Sequence, residues 1–260
     1  VSLYVWTKAI AAGAYLVAAA LILSGRLDTA SVLWKWTTPL VSAVFLAVTL
    51  VLLIGDLEHP ERFYLILTRP QWRSWLVRGG VILTAFGAAI GLHLLYSLFG
   101  NGPPRALAIS GGACAIGAGT YTAWLFAQAK ARDLWQSPLL PPQHLIATVL
   151  AGAAALLIAA AVVAPGLVPL FARLTAAATL IHLALVAAEI LTPHPTAHAR
   201  LAVREMVRGR YAVAFAAGAV LQILGVVGLA FGVWAAILVL LGLLCYEHAH
   251  ISAAQSVPLA

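Results

Sequence analysis

The chain has 260 residues, of which 63% are hydrophobic and only 9% charged, with a formal net charge of +7. Soluble globular proteins are roughly 45–50% apolar and about 25% charged, and a mean hydropathy of +1.00 leaves too little polar surface to coat a sphere in water. A soluble domain, a disordered or collagen-like chain and a secreted disulfide scaffold are excluded; what remains is a polytopic membrane protein whose charge reads, loop by loop, as topology.

A helix needs about 20 mostly apolar residues to cross about 30 Å of hydrocarbon. Divided at Gly, Pro and charge clusters, the sequence predicts an all-α membrane protein of eight transmembrane helices. In chain order they cover Leu3–Leu23, Trp34–Ile54, Ser74–Phe99, Ala106–Ala129, His144–Val163, Val168–Leu191, Tyr211–Phe231 and Val233–Ile251. Apolar runs this long lack the ten-residue alternation of a barrel strand. The chain starts directly in an apolar run with no basic leader or small-residue cleavage site, so no removable signal peptide is expected. Cys114 and Cys245 lie inside apolar runs and imply no disulfide, zinc or Fe–S site.

Eight spans put both termini on one face, the N-face. Its loops carry Arg62, Arg69, Arg73, Arg78, Lys130, Arg132, Arg200, Arg204, Arg208 and Arg210, against Arg26, Lys35, Arg105 and Arg173 opposite. The positive-inside rule then makes the N-face, and with it the termini, cytoplasmic, although a basic loop serves equally as a docking surface for a partner. The organisation is one integral membrane domain, residues 1–260, with a weak internal repeat over roughly 1–131 and 132–260. Asp56 and His59-Pro60 before a basic stretch return, four spans later, as Glu189 and Pro193-His194-Pro195 before another, which suggests two four-helix bundles.

Ionisable groups within spans are costly and face the bundle interior or a wet cavity. Here they gather toward the N-face: Tyr4 and Lys8 in the first span, Asp56 ending the second, Glu189 ending the sixth, Glu247 and His248 in the last turns of the eighth. Tyr121 precedes Lys130 by nine residues and so lies roughly 13 Å below that face at 1.5 Å per residue. Thr175, Thr179, His182 and Glu189 keep to one helical stripe, and Ser42, Thr49 and Asp56 to another. Small hydroxyl residues also serve helix packing; a carboxylate ending each stripe makes a proton path the sharper expectation.

Other chemistries find little support. A membrane haem b needs two axial histidines facing one another at one depth, whereas His93 lies near the far face and His182 near the middle. H-E-x-x-H metal spacing and a Gly-rich phosphate loop are absent, and Gly111, Gly112 and Gly119 read as close helix packing. No haem or metal is therefore expected on this chain, and nucleic-acid binding has no support beyond charge that topology explains. A proton-coupled secondary transporter using His182 and Glu189, and a haem b anchor, stay open as alternatives.

The segment Gly55-Asp56-Leu57-Glu58-His59-Pro60-Glu61-Arg62-Phe63, followed by Arg69-Pro70 and Arg73-Ser74-Trp75-Leu76, resembles the D-L-x-x-P-E-R-F … R-P … S-W signature of the polysulphide reductase membrane subunit (NrfD/PsrC) family. Trp6-Thr7-Lys8-Ala9 with Ala12-Gly13, Lys130-Ala131-Arg132 with Leu134-Trp135 and Ser137-Pro138, and Gln255-Ser256-Val257-Pro258-Leu259 resemble further stretches of that family. The resemblance implies a quinone-binding anchor of the prokaryotic cytoplasmic membrane, taking menaquinone or ubiquinone as an exchangeable substrate. It also implies two partners, an Fe–S electron-transfer subunit and a catalytic, molybdopterin-containing one. By position the family's tyrosine is Tyr121. Where the family uses histidine and asparagine early in the first span, this chain has Tyr4 and Val1, so Lys8, Asp56 and His59 become the substitute head-group contacts. Arg62, Arg69 and Arg73 are the expected docking residues. Quinol oxidation releases two electrons and two protons; on this reading Tyr121 binds one oxygen, His59 or Lys8 the other, and Asp56 or Glu189 takes a proton.

Overall fold

The computed structural model describes residues 1–59, 64–100 and 102–258, and among them every regular element is helical. The α-helices are α1 (Ser2–Leu23), α2 (Thr38–Gly55), α3 (Leu65–Thr68), α4 (Trp75–Phe99), α5 (Arg105–Ala127), α6 (Leu140–Val163), α7 (Val168–Leu191), α8 (Ala197–Val207), α9 (Ala212–Gly228) and α10 (Ala235–Ser256). A π-helical turn, Leu33–Thr37, leads into α2.

Local chemistry accounts for the ends. Proline lacks an N–H that a first helical turn does not use, and Pro39, Pro141, Pro142 and Pro169 open α2, α6 and α7. The Pro-Pro pair therefore starts α6 at Leu140, four residues ahead of the expected His144, and draws His144 into the helix. Gly25, at φ +70°, ends α1 in the left-handed conformation that glycine adopts without penalty, while the Arg26 and Leu27 amides close back on the Leu21 carbonyl. The Thr196 hydroxyl caps α8 by accepting from the Ala199 amide at 3.1 Å. The sequence predicts a basic loop here; its arginines lie instead on the amphipathic helix α8, which meets α9 at 65°.

Among the described residues six helical segments are long and apolar enough to span a membrane: α1, Leu33–Gly55, α4, α6, Pro165–Leu191 and α10; the count is seven if the bent pair α8–α9 forms one span. The expectation of eight also included the helix at α5. That helix has the length, at 23 residues, but carries Arg105, Ser110, Gly111, Gly112, Gly117, Gly119 and Thr120, which dilute its hydropathy.

Helix α1 is the axis, buried over most of its surface and touching α2, α5, α6 and α10. Its AIAAGAY run is small enough for backbones to meet. At the crossing with α6 a Cβ on Gly13 would fall 1.9 Å from the Thr148 carbonyl oxygen, and one on Gly152 would fall 1.9 Å from the Gly13 carbonyl carbon. Close approach through small residues is how helices associate where no hydrophobic effect drives them together. The contacts also map onto themselves when α1 exchanges with α6, α2 with α7, α4 with α9 and α5 with α10: α1 meets α2 and α5 as α6 meets α7 and α10, and α4–α5 matches α9–α10. Large apolar side chains such as Val51, Val213 and Val227 point outward from α2 and α9.

Candidate functional site

The starts of α1, α4 and α6 and the ends of α2, α5, α7 and α10 share one end of the molecule. The Val1 backbone nitrogen lies 3.0 Å from Asp56 Oδ2. Gln128, just past α5, joins the Trp75 amide and the Arg73 carbonyl. Ser137, just before α6, donates to Glu189 on α7, and Arg132 reaches the carbonyls of Ala254 and Val257 on the end of α10.

Beneath this end lies a buried polar site between α1 and α5. Lys8, 1% exposed, directs its ammonium to the Ala118 and Gly119 carbonyls, each at 2.9 Å, and to Thr122 Oγ1 at 3.0 Å. Small residues on α5 make this possible, since bulkier side chains would shield those carbonyls. An ammonium has three donors, so Lys8 has none left for a quinone oxygen: the expected head-group contact is instead a fixed internal charge, 4.9 Å from the centre of the Tyr121 ring. Tyr121 is also 1% exposed. Its ring presses on Gly79 of α4, where a Cβ would fall 2.2 Å from it. Its hydroxyl is buried with no hydrogen-bond partner among the described residues. Tyr4, in the first turn of α1, and Glu247 on α10 are buried as well. Thus α1 and α5 bring Lys8 and Tyr121 together.

The remaining predicted residues divide. Asp56 is 44% exposed at the mouth of this region, so it is a surface carboxylate. His59 is exposed on the loop that follows, as are Arg69 and Arg73; Arg62 lies outside the described residues. The stripe on α2 faces α1: Thr49 donates to the Phe45 carbonyl, its hydroxyl lies 2.9 Å from that of Thr7, and Ser42 is buried without a partner. Ser42 and Thr49 are thus buried against α1, while Asp56 sits at the exposed end of α2. The stripe on α7 is interior along its length, with Thr175, Thr179, His182 and Glu189 all buried.

Around the α7 stripe stand residues that sequence reading missed. His182 Nδ1 lies 2.9 Å from Gln222 Oε1 on α9, and Gln222 Nε2 donates to the Gly218 carbonyl. The amide oxygen therefore faces the histidine, Nδ1 carries the proton, and Nε2, which is unpartnered, is the free acceptor. Tyr246 packs edge-on against His182, with ring centres 4.9 Å apart, and stacks on His250 at 5.7 Å. His144 is buried against Phe126 with Nε2 unpartnered, within electrostatic reach of Lys8, His250 and His182. The available signal was spacing: Tyr246–His250 and Glu247–His250 are i,i+4 and i,i+3 pairs. It was masked because the eighth span was ended at Ile251. Helix α10 runs on to Ser256, so Glu247 lies well inside it instead of in its last turns. Beside Glu189 a pocket of about 400 Å³ opens at the shared end, lined also by Ser137, Gln136, Thr192 and His194; Ser137 Oγ is 2.6 Å from Glu189 Oε2.

In the opposite half His93 is fully engaged. Its Nε2 is 2.9 Å from the Trp34 carbonyl oxygen, which can only accept, so Nδ1 accepts from the Tyr15 hydroxyl at 2.9 Å. Both ring nitrogens serve to tie α4 to α1 and to the π-helical turn. No group of three His, Cys, Asp or Glu among the described residues is placed to hold a metal ion.

The sequence model of the family described as "Polysulphide reductase, NrfD" matches residues 1–257, essentially the whole chain. No curated protein matches.

Proposed function

Because the chain belongs to the polysulphide reductase (NrfD) family, whose members are membrane subunits of quinone-linked, multi-subunit oxidoreductases, we propose that it binds quinol or quinone at Tyr121 and exchanges electrons with an Fe–S partner subunit. The partner docks on the end of the bundle where Arg69 and Arg73 are exposed, the catalytic subunit beyond it carries molybdopterin, and the quinone is menaquinone or ubiquinone of a prokaryotic cytoplasmic membrane. On this reading the helices form eight spans in two four-helix units, α5 and the α8–α9 pair included, with both termini cytoplasmic.

The single observation behind this reading is the Tyr121 hydroxyl. A buried polar group without a partner costs about 1–3 kcal/mol, and natural proteins keep such groups where something else completes them. A quinone carbonyl, which only accepts, is a suitable complement in an apolar setting. The Lys8 ammonium, held by three oxygens on the α5 side, supplies fixed positive charge next to the position where negative charge develops on the head group. On this reading Tyr4, buried in the first turn of α1, lines the same region and the buried Glu247 carboxylate receives a proton. Asp56 and His59, at the mouth, face the path between this region and the docking end. The redox chemistry belongs to the quinone and to the partner's clusters; this chain binds, orients and moves protons.

The test is Tyr121→Phe in the complex, with quinol-dependent electron transfer as the readout. The ring and its contact with Gly79 are kept and only the hydroxyl is lost. A fall in turnover of about tenfold or more, worth about 1.4 kcal/mol, is expected; unchanged turnover at every quinol concentration refutes the assignment.

A further inference from the structure

Helix α8 and the turn after it take no part in the quinone reading. Residues 197–210 carry four arginines against one glutamate. Helix α9, which follows, has 17 residues; at 1.5 Å per residue it is about 26 Å long and alone covers most of a hydrocarbon layer about 30 Å thick. Helix α8, set at 65° to it, is therefore left at the boundary between lipid and water, where arginine is tolerated. The two spans that α8 joins end and begin there with exposed aliphatic side chains, Leu191 on α7 and Val213 on α9.

The faces of α8 are graded. Ala199, Ala202 and Met206 are buried, and Met206 packs with Ala249 and Ala253 of α10. Turning round the helix at about 3.6 residues per turn, half-buried Val203 and Val207 come next, then Arg200, Arg204 and Arg208, all exposed. A cavity of about 340 Å³ opens on this flank, between the valines, the three arginines and Ile190 in the last turn of α7. Arg200 is anchored there by the His194 and Pro195 carbonyls. The side chains of Arg204 and Arg208 make no hydrogen bond or ion pair among the described residues. Nearby carboxylates are occupied elsewhere: Glu205 accepts from the Arg210 amide and Glu189 from Ser137. One wall of the cavity is thus aliphatic and the other carries uncompensated positive charge.

We propose that this groove between α7 and α8 binds an anionic glycerophospholipid. Arg204 and Arg208 hold the phosphate, Arg200 adds charge beside it, and the first part of an acyl chain lies on Ile190, Val203 and Val207. Guanidinium groups match phosphate oxygens in charge and in bidentate geometry, and basic pockets beside membrane helices favour anionic head groups. A free phosphate would leave the aliphatic wall unused, and a zwitterionic lipid would leave the arginines without net countercharge. The cavity at the opposite end that also contains two arginines, Arg26 and Arg105, is a different environment: Asp28 and Thr29 share its wall. The lipid site stands independently of where the quinone binds.

The test uses the full chain with its co-purifying subunits in detergent micelles. Phosphatidylglycerol and phosphatidylcholine of the same chain length are added at equal concentration, and bound lipid is counted by native mass spectrometry. The wild type should retain one phosphatidylglycerol in preference to phosphatidylcholine. Arg204→Gln with Arg208→Gln should weaken that binding about tenfold or more, and each single change should weaken it less. Both side chains are exposed, so melting temperatures in micelles holding phosphatidylcholine alone should match the wild type. Val207→Asn, which removes part of the aliphatic wall without changing charge, should also reduce retention, whereas Arg26→Gln at the opposite end should not. A large excess of inorganic phosphate should fail to displace the lipid. Equal uptake of the two lipids by the wild type, or wild-type retention in the double variant, overturns the proposal. Displacement by inorganic phosphate makes the groove a simple anion site and overturns it too. So does a wild-type complex that takes up no phosphatidylglycerol because a co-purifying subunit covers Arg204 and Arg208.

Discussion

The crossing of α1 and α6 holds the two groups of polar residues in register, and Gly152→Ala tests it. A methyl at this position would lie 1.9 Å from the Gly13 carbonyl carbon, 2.2 Å from its oxygen and 2.4 Å from the Ala14 nitrogen. Ordinary contact begins near 3.4 Å, so the shortfall is 3.4 − 1.9 = 1.5 Å. No side chain can absorb it because every neighbour is backbone, and the helices must part. Overpacking costs typically about 1–3 kcal/mol when side chains can shift; against two rigid backbones about 3 kcal/mol is the lower bound. A gap of 0.5–1 Å already forfeits about a quarter to a half of a dispersion contact, so the rest of the seam loosens as well. At about 2–4 °C per kcal/mol the detergent-solubilised protein should melt at least about 6 °C lower. Lys8 and His144, on the two separated helices, should also lose alignment, and quinol turnover should fall with stability. The control is Gly91→Ala on α4, where a Cβ meets nothing within 4 Å and the melting temperature should hold or rise. Equal melting temperatures for Gly152→Ala, Gly91→Ala and wild type would refute the crossing.

Three further outcomes are expected. Tyr121→Phe should leave the melting temperature unchanged or slightly higher, since the hydroxyl has no internal partner to lose; a marked drop measured by thermal unfolding would reveal a bond that the account denies. Lys8→Met should cost about 1–3 kcal/mol, because it removes the buried donors to the Ala118 and Gly119 carbonyls and to Thr122 Oγ1; a wild-type melting temperature would argue against those bonds. Tyr15→Phe removes the donor to His93 Nδ1 and should destabilise by about 1 kcal/mol while quinol turnover per folded complex stays at the wild-type value.

The parts legible in the sequence were those governed by one-dimensional rules. Runs of about 20 apolar residues gave most helices to within a few residues, with α7 at Val168–Leu191 as expected. Four-, three- and seven-residue spacings put Thr175, Thr179, His182 and Glu189 on one face, and that face is interior. What escaped depended on contacts between distant segments. Lys8 reads from the sequence as a head-group contact because nothing in its neighbourhood along the chain reveals three acceptors on α5, some 110 residues later. Asp56 looked like the end of a buried stripe, but the stripe's hydroxyls are turned to α1 and the carboxylate sits in the open. His144 and His250 were assigned to span ends because Pro-Pro was read as a turn and α10 was ended early. Helix α8 escaped because an amphipathic, arginine-bearing helix has no apolar run to announce it.

The most direct measurement is a structure of the complex with a quinol-site inhibitor or short-chain naphthoquinone bound. The account predicts a head-group oxygen within hydrogen-bond distance of the Tyr121 hydroxyl, with Lys8 still anchored to Ala118, Gly119 and Thr122. A head group seated elsewhere, for instance in the Glu189 pocket, with the Tyr121 hydroxyl still unpartnered, would contradict it.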